Sequence, residues 1–545
     1  MLSIFAVNTP ANPLPEDISS LQRIIAQQVK ALQEFEEEVN RHRSDLRLKQ
    51  EELTQTKAEN ERLEEMVRLL KHQHFGRKSE VVRSDEQSKQ LGIFNEAEEL
   101  EAKRSEPSSE IQVKSHRRRG KPKRAALPAN LEREEVIIEL PAEERVCPEG
   151  HELKEIGEDA SEQLDVIPAQ IKVIRTIRKK YACAQCEGHV KRAALPKTAI
   201  PKSMAGPGLL AYIATSKYGD GLPLYRQEHI WQRAGVDIPR ATMGSWMIKV
   251  GNLLAPILNL MEEDLLAGDF VHADETRVQV LSEPGRLPES QSYMWVRGRS
   301  YPGAPPIVLF EYDPSRSGEV AKRLFAGYRG YLQADAYDGY DALCEKEDII
   351  RCGCMAHCRR KFFEATKASA KGIGLANEAI KMIRGLYEVE EQIQDKSIED
   401  RYRIRQAESK PILDEFERWI EEHRGKVPPQ SQLGQALNYA HNEWPFLIRY
   451  LEDGRLSVDN NMVENAIRPF AIGRKNWLFS DSVAGAKASA AIYSIMVSAK
   501  LNGHNEYAYL RHLLEKLPLA EKIQDFETLL PHRLSPQDIP AMRAA

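Results

Sequence analysis

Cysteine is scarce in this sequence: 7 in 545 residues, an odd number and too low a density for a disulfide framework. The thiols are therefore read as reduced, and their clustering as a sign of metal. No run of about 18 apolar residues could span a bilayer, so no membrane partner is expected. The opening MLSIFAVNTP lacks the positive flank of a secretory signal, which points to the cytoplasm. An excess of positive charge is missing too. With a net charge of −5, any contact with nucleic acid must come from local patches rather than from the field of the whole protein. The length, by contrast, is sufficient for several domains with more than one buried core.

Residues 1–17 read as a flexible N-terminus, and 18–75 as one long helix without Pro or Gly. Steps of three and four from Ile18 reach sixteen positions up to Leu70, of which eleven are apolar, a sustained heptad seam. Asn60 falls at an a-type position, where a buried amide specifies register and a two-stranded state. The expectation is a coiled coil that pairs two protomers into a homodimer or a higher assembly. Residues 76–130 lose the helical period and read as a basic linker. Within it KSHRRRGKPKR offers Arg117, Arg118, Arg119 and Lys121 to a phosphate backbone.

Residues 131–200 carry RVCPEGHEL and YACAQCEGH. Cys183-x-x-Cys186 places two thiolates on one tetrahedral ion, and Cys147 with His151 can supply the other pair. A small zinc-ribbon-like segment is expected, in which bound Zn2+ offsets the cost of ordering a strand-poor chain. His189 competes with His151 for the fourth position, since both follow Glu-Gly. Residues 201–266 are helical, and LPLYRQEHIWQRAGVDIPRATMGSWMIKVG has the two-helix pattern of a helix-turn-helix, equally that of a packed hairpin.

The chemistry begins at DFVHADETRVQVL, the first of three strand-like stretches forming a meander, followed by a helix at 317–327. A fourth strand, GYLQAD, ends at Asp335; a helix from about Tyr337 and a fifth strand, DIIRCGC, follow. This β-β-β-α-β-α-β order is that of the ribonuclease-H-like α/β core. There the first and fourth strands are neighbours, so Asp274 and Asp335 share one site. A two-metal site needs carboxylates from more than one element. The third is Glu464, reached after an all-helical insertion at about 356–452. On a helix, Glu464, Arg468, Ala471 and Lys475 share one face, putting a metal-binding carboxylate beside cations for phosphate. Cys344, Cys352, Cys354 and Cys358 lie near His357; they are read as small buried side chains rather than a second metal site. Arg359 and Arg360 beside them are candidates for phosphate contact, as is Arg474. The catalytic unit is placed at 267–483, and a helical tail at 484–545 is expected to pack on it.

At these residues the sequence resembles the DDE transposases of the insertion sequence 66 family. The motifs occur in the family's order: HFGRKSE, EQLDVIP, KYGDGLPLYRQE, HADET, QADAYDGY, GCMAHCRRKF and NNMVENAIRPFAIGRKNWLF. The chain departs from the family at Gly150-His151, where a second cysteine usually stands. The resemblance implies that Asp274, Asp335 and Glu464 are the catalytic triad, with a pair of Mg2+ ions, or Mn2+ in their place. It implies terminal inverted repeats and target DNA as substrates, small accessory proteins of the same element as partners, and a nucleoid-associated location. The competing readings are a catalytically retired transposase acting as a DNA-binding regulator, and a ribonuclease-H-like nuclease outside transposition.

Overall fold

The computed structural model describes residues 18–75, 171–177, 180–182, 190–192, 194–344, 348–368 and 374–539. The chain divides into two compact units, 98–196 and the remainder. In the smaller one, β1 (Lys180–Ala182) and β2 (Val190–Arg192) form an antiparallel pair on either side of the second cysteine knuckle. Cys147, His151, Cys183, Cys186 and His189 themselves lie outside the described residues, as do Arg117, Arg118, Arg119 and Lys121.

The larger unit begins with α1 (Ile18–Phe75), the uninterrupted helix that the heptad pattern predicts. Its seam residues Ile18, Ile25, Leu32, Phe35, Leu46 and Leu53 are all exposed in the single chain. Farther on, α2 (Pro207–Ala214), α3 (Leu224–Arg233), α4 (Arg240–Leu253) and α5 (Ala255–Leu266) follow in short succession. The turn between α3 and α4 contains Gly235, whose φ of +79° is the left-handed conformation that glycine adopts without strain. Trp231, Met243, Trp246 and Met247 are buried at this helix pair, and Gln227 ties α3 to α2 and to the loop before it by donating to Ile213 O (3.2 Å) and Leu222 O (3.0 Å).

The sheet comprises β3 (Phe270–Ser282), β4 (Gln291–Tyr301), β5 (Ala304–Asp313), β6 (Gly330–Gln333) and β7 (Ile349–Cys352). Their order is β5-β4-β3-β6-β7, with β8 (Ser480–Ser482) pairing the far end of β3. The meander β3-β4-β5 is antiparallel, whereas β3, β6 and β7 run parallel, so the first and fourth strands of this region are neighbours. Two helices fill the crossovers, α6 (Gly318–Leu324) and α7 (Asp338–Cys344).

Two strands stop earlier than their sequence suggests. β6 ends at Gln333 because the Asp335 carboxylate accepts from the Tyr337 N–H (3.1 Å), turning the backbone out of the ladder. β7 ends at Cys352 because Gly353 N–H donates to Phe446 O (2.9 Å) and Met355 N–H to Val458 O (3.1 Å), which hands the chain to the helical insertion.

That insertion consists of α8 (Met355–Ala368), α9 (Leu375–Gln392), α10 (Ile398–Ile404), α11 (Lys410–Arg424) and α12 (Gln432–Leu447). It has its own core, in which Phe362, Ile383, Leu386, Phe416 and Trp444 meet. The chain then returns to the sheet through α13 (Asn461–Trp477) and continues into α14 (Val483–Leu501), α15 (Glu506–Lys516) and α16 (Ile523–Glu527).

Helix α14 protects the sheet edge. β5 is an edge strand, and an unpaired edge is a template for unwanted pairing. Its Val308 and Phe310 N–H groups donate instead to the hydroxyls of Ser498 (2.9 Å) and Ser494 (2.7 Å). The helical tail thus packs on the sheet, as its apolar period suggests. α14 also crosses α4 closely: a Cβ on Gly251 would stand 2.8 Å from Ala488 Cα. Gly251→Ala gains about 1 kcal/mol of helix propensity, but overpacking at such a contact costs about 1–3 kcal/mol. A net loss in urea unfolding is expected, and an unchanged midpoint would show that the helices separate freely.

Candidate active site

Asp274 sits half-buried in the middle of β3, and the next side chain, Glu275, is almost fully enclosed. Glu464 occupies the first turn of α13, where the helix dipole favours a carboxylate. Asp335 is held by its turn just past the end of β6, the strand that pairs with β3. Burial pushes the Asp274 pKa well above the usual carboxylate value, and the charges of Glu275, Glu464 and Asp335 push it further. The structure therefore brings Asp274, Asp335 and Glu464 into one electrostatic neighbourhood from three separate segments. Glu275 is raised as well, mainly by burial, although Arg316 opposes the shift.

Asn460 fastens the helix to the strand. Wholly buried, it donates from Nδ2 to Ala273 O (2.8 Å), and its Oδ1 accepts from His272 Nδ1 (3.0 Å). His272 is buried, which lowers its pKa to about 4, so the imidazole is neutral near pH 7 and can keep the Nδ1 proton. At the other end of α13, Arg474 donates to the Arg277 carbonyl and the Thr276 hydroxyl. Both anchors grip β3 on either side of Asp274, which fixes Glu464 relative to that strand.

The expected phosphate-contacting cations divide. Arg468 and Lys475 are exposed on α13, and Arg360 is half-exposed with Nη2 3.4 Å from Glu464 Oε2. Arg359, in contrast, is buried at 2% exposure, and Arg474 is committed to the backbone of β3. Burial of α8's inner face and the anchoring of α13 account for both, and neither is visible in a run of basic letters. Asp338, a carboxylate close to Asp335 in sequence, is exposed at the start of α7, past the end of β6.

Two further groups stand at the site, one without a sequence signal of its own and one whose cysteines read in the sequence as buried packing. Glu275 accepts from Arg316 Nε (2.6 Å) and from the Tyr340 hydroxyl (2.9 Å), and the Arg316 guanidinium lies 3.9 Å from the centre of the Tyr337 ring. The only available signal was its place beside Asp274 in HADET. The second group joins Cys354 and His357 to Glu464: His357 Nδ1 is 3.5 Å and Cys354 Sγ 4.0 Å from Glu464 Oε1. Cys352, Cys354 and Cys358 are indeed buried, as small side chains in a packed segment should be.

The three carboxylates suit hard divalent cations. Acids that are desolvated and repel one another, as the raised Asp274 pKa indicates, would be relieved by a bound dication. Asp274, Asp335 and Glu464 come from three separate segments, but the cluster of metal-type ligand atoms within 4.8 Å of one another among the described residues is Cys354, His357 and Glu464 and does not include Asp274 or Asp335.

Next to the site, Asp459 accepts from the Tyr387 hydroxyl (2.7 Å) and the Asn461 N–H (3.0 Å). Burial nevertheless raises its pKa to about 6 from 3.8. The folded state holds this proton more tightly than the unfolded chain. The contribution to stability is therefore full below 3.8 and is lost as pH rises to about 6. Chemical denaturation across that window should show wild type losing roughly 1–3 kcal/mol more than Asp459→Asn. Parallel profiles would contradict it.

Comparison with known proteins places this architecture. Residues 202–488 match the description "Transposase IS66 family", and residues 494–532 match "IS66 C-terminal element". Residues 144–187 match "zinc-finger binding domain of transposase IS66", and 62–136 match "Transposase C of IS166 homeodomain". The uncharacterized protein y4qI of Sinorhizobium fredii (strain NBRC 101917 / NGR234) is 35% identical over 97% of this chain and 99% of its own length. From the same organism, y4jD is 35% identical over 74% of this chain and 81% of its own, and y4hP is 32% identical over 73% and 75%. These family matches, on a mixed α/β core, support a transposase. The chain belongs to the IS66 transposase family.

Membership implies DNA as the partner and a divalent metal as the cofactor class. The zinc-finger match spans Cys147, His151, Cys183 and Cys186 and supports a structural zinc. No described helix is long and apolar enough to cross a membrane.

Proposed function

We propose that the chain cuts phosphodiester bonds at the terminal inverted repeats of its element and joins the freed 3′-hydroxyls to target DNA. One observation carries the reading most: β3 and β6 are parallel neighbours with His272 opposite Gln333, two residues before Asp274 and Asp335, and Asn460 at the start of the Glu464 helix donates to Ala273 O beside Asp274. The sheet order supports a ribonuclease-H-like core, with a meander on one side and two parallel crossovers on the other. Asp274, Asp335 and Glu464 would hold a pair of Mg2+ ions. Held by these carboxylates, such ions would supply Lewis-acid activation of the attacking oxygen and neutralisation of charge on the leaving oxygen.

The protein's own part is positioning. Asn460 and Arg474 hold Glu464 to the Asp274 strand, and Arg360, Arg468 and Lys475 orient phosphates. The exposed seam of α1 suits pairing with a second protomer, so that two ends are handled together. The helix pair at 224–253 and the basic linker would add DNA contacts, and the zinc segment at 131–200 would form a separate module.

The test incubates the full chain, with the accessory proteins of its element, with labelled terminal repeats and Mg2+. Nicked ends bearing 3′-hydroxyls and joined products are expected. Binding of the repeats with no cutting under any divalent metal would leave a regulator instead.

A further inference from the structure

We propose that Cys354, His357 and Glu464 form a second metal site, one that takes Zn2+-like cations in preference to Mg2+. Among the described residues, one ligand atom from each of these three lies within 4.8 Å of the other two. They come from three places in the fold: the turn before α8, the first turn of α8, and the first turn of α13. A tetrahedral ion with bonds of about 2.0–2.3 Å holds its ligands roughly 3.3–3.8 Å apart. The contacts of 3.5 Å (His357 to Glu464) and 4.0 Å (Cys354 to Glu464) need little closure to reach that spacing.

Two details fit ligation rather than packing alone. The Cys354 sulfur accepts the Asn460 N–H at 3.2 Å and a second backbone N–H from His357, so it is already oriented toward Glu464. Burial and the charges of Asp459 and Glu464 hold the thiol protonated in the absence of metal, and a bound cation would have to displace that proton. His357 Nδ1 is buried, faces Glu464 and has no hydrogen-bond partner. A buried ring nitrogen left in that state incurs a desolvation cost of about 1–3 kcal/mol, which a metal bond would relieve. Sulfur, imidazole and one carboxylate, with the fourth position open to water, suit Zn2+ or Co2+. Mg2+ prefers six oxygens.

Glu464 then belongs to two ligand sets. With zinc beside Cys354, its carboxylate is drawn away from Asp274 and Asp335, so zinc should oppose Mg2+-dependent cutting. That consequence rests on the proposed function. The binding itself does not.

The experiment titrates Co2+ into the full chain after removal of bound metal, following the thiolate-to-cobalt charge-transfer band. Because the zinc-finger cysteines would also respond, a Cys183→Ser/Cys186→Ser chain is compared with the same chain also carrying Cys354→Ser. The first should retain one equivalent with a thiolate band, displaceable by Zn2+ but not by Mg2+; the second should lose both. Equal equivalents and equal spectra in the two would overturn the site. Should Cys354→Ser fail to fold, His357→Ala in the first background keeps the thiol, and Co2+ binding at least about tenfold weaker is expected. Unchanged affinity there also overturns it. Zinc inhibition of cutting is read separately. If Co2+ binds as described and no cutting is seen with any metal, the transposition chemistry fails and the metal site stands.

Discussion

Glu464→Gln should reduce cleavage of element ends by at least about a thousandfold while leaving the fold intact, since groups that act as a unit lose most of their effect when one is removed. The substitution keeps shape and volume and removes only the charge. Its amide can still meet His357 and Arg360, which now flank the carboxylate at 3.5 and 3.4 Å. What it cannot do is complete a hard-oxygen set with Asp274 and Asp335. Because Glu464 is one of the charges that raise the Asp274 pKa, its neutralisation also relieves repulsion. Thermal stability without metal should therefore hold or rise slightly, while the stabilisation normally conferred by Mg2+ shrinks. Single-turnover nicking and melting with and without Mg2+ separate the two effects. Near wild-type nicking would remove Glu464 from the chemistry, and a collapsed melting temperature would assign it a structural role instead.

The second large effect is expected at Arg405, far from any motif. This arginine is fully buried in the helical insertion, and all five of its N–H donors are used. Nε and Nη2 form a fork on Glu390 (2.8 and 2.6 Å); Nη1 reaches Tyr450 O and Asp453 O (both 3.0 Å), and Nη2 also reaches Leu456 O (2.9 Å). The three carbonyls belong to the segment that returns the chain from the insertion to α13. Removing one partner of a buried pair typically costs about 3–5 kcal/mol. Arg405→Met should lose about that much in chemical denaturation, because Glu390 and three carbonyls are left without their donor. Arg405→Lys should recover only part of the loss, since an ammonium has three donors and no planar fork. A loss under about 1 kcal/mol would mean that water replaces the guanidinium easily.

These two residues differ in how readable they are. Glu464 is visible because a helix with an acid in its first turn and cations one and three turns on follows two strand-borne aspartates. Arg405 reads as one more arginine in RYRIRQAESK, exposed by any average expectation. Its burial depends on Glu390 and on a loop about fifty residues later, neither of which has a fixed spacing rule. The cysteines show the same divide. Their burial follows from composition, but the approach of Cys354 and His357 to Glu464 spans more than a hundred positions and was not foreseen. The basic residues mislead in the opposite direction, for Arg359 and Arg474 look like their exposed neighbours until packing assigns them elsewhere.

By itself, the sequence determined the order of helices and strands, the adjacency of the first and fourth strands, the carboxylates worth watching and the family. All of these follow from local periodicity, from the few ways a meander and two crossovers can share a sheet, and from contiguous motifs. Only the tertiary structure decided where β6 and β7 stop, that Asn460 ties Glu464 to the Asp274 strand, and which cations remain exposed. The physical reason is that an apolar period tells which face of an element turns inward. Which polar groups then meet depends on where the chain re-enters the sheet after its helical insertion, and that is set by packing over the whole unit.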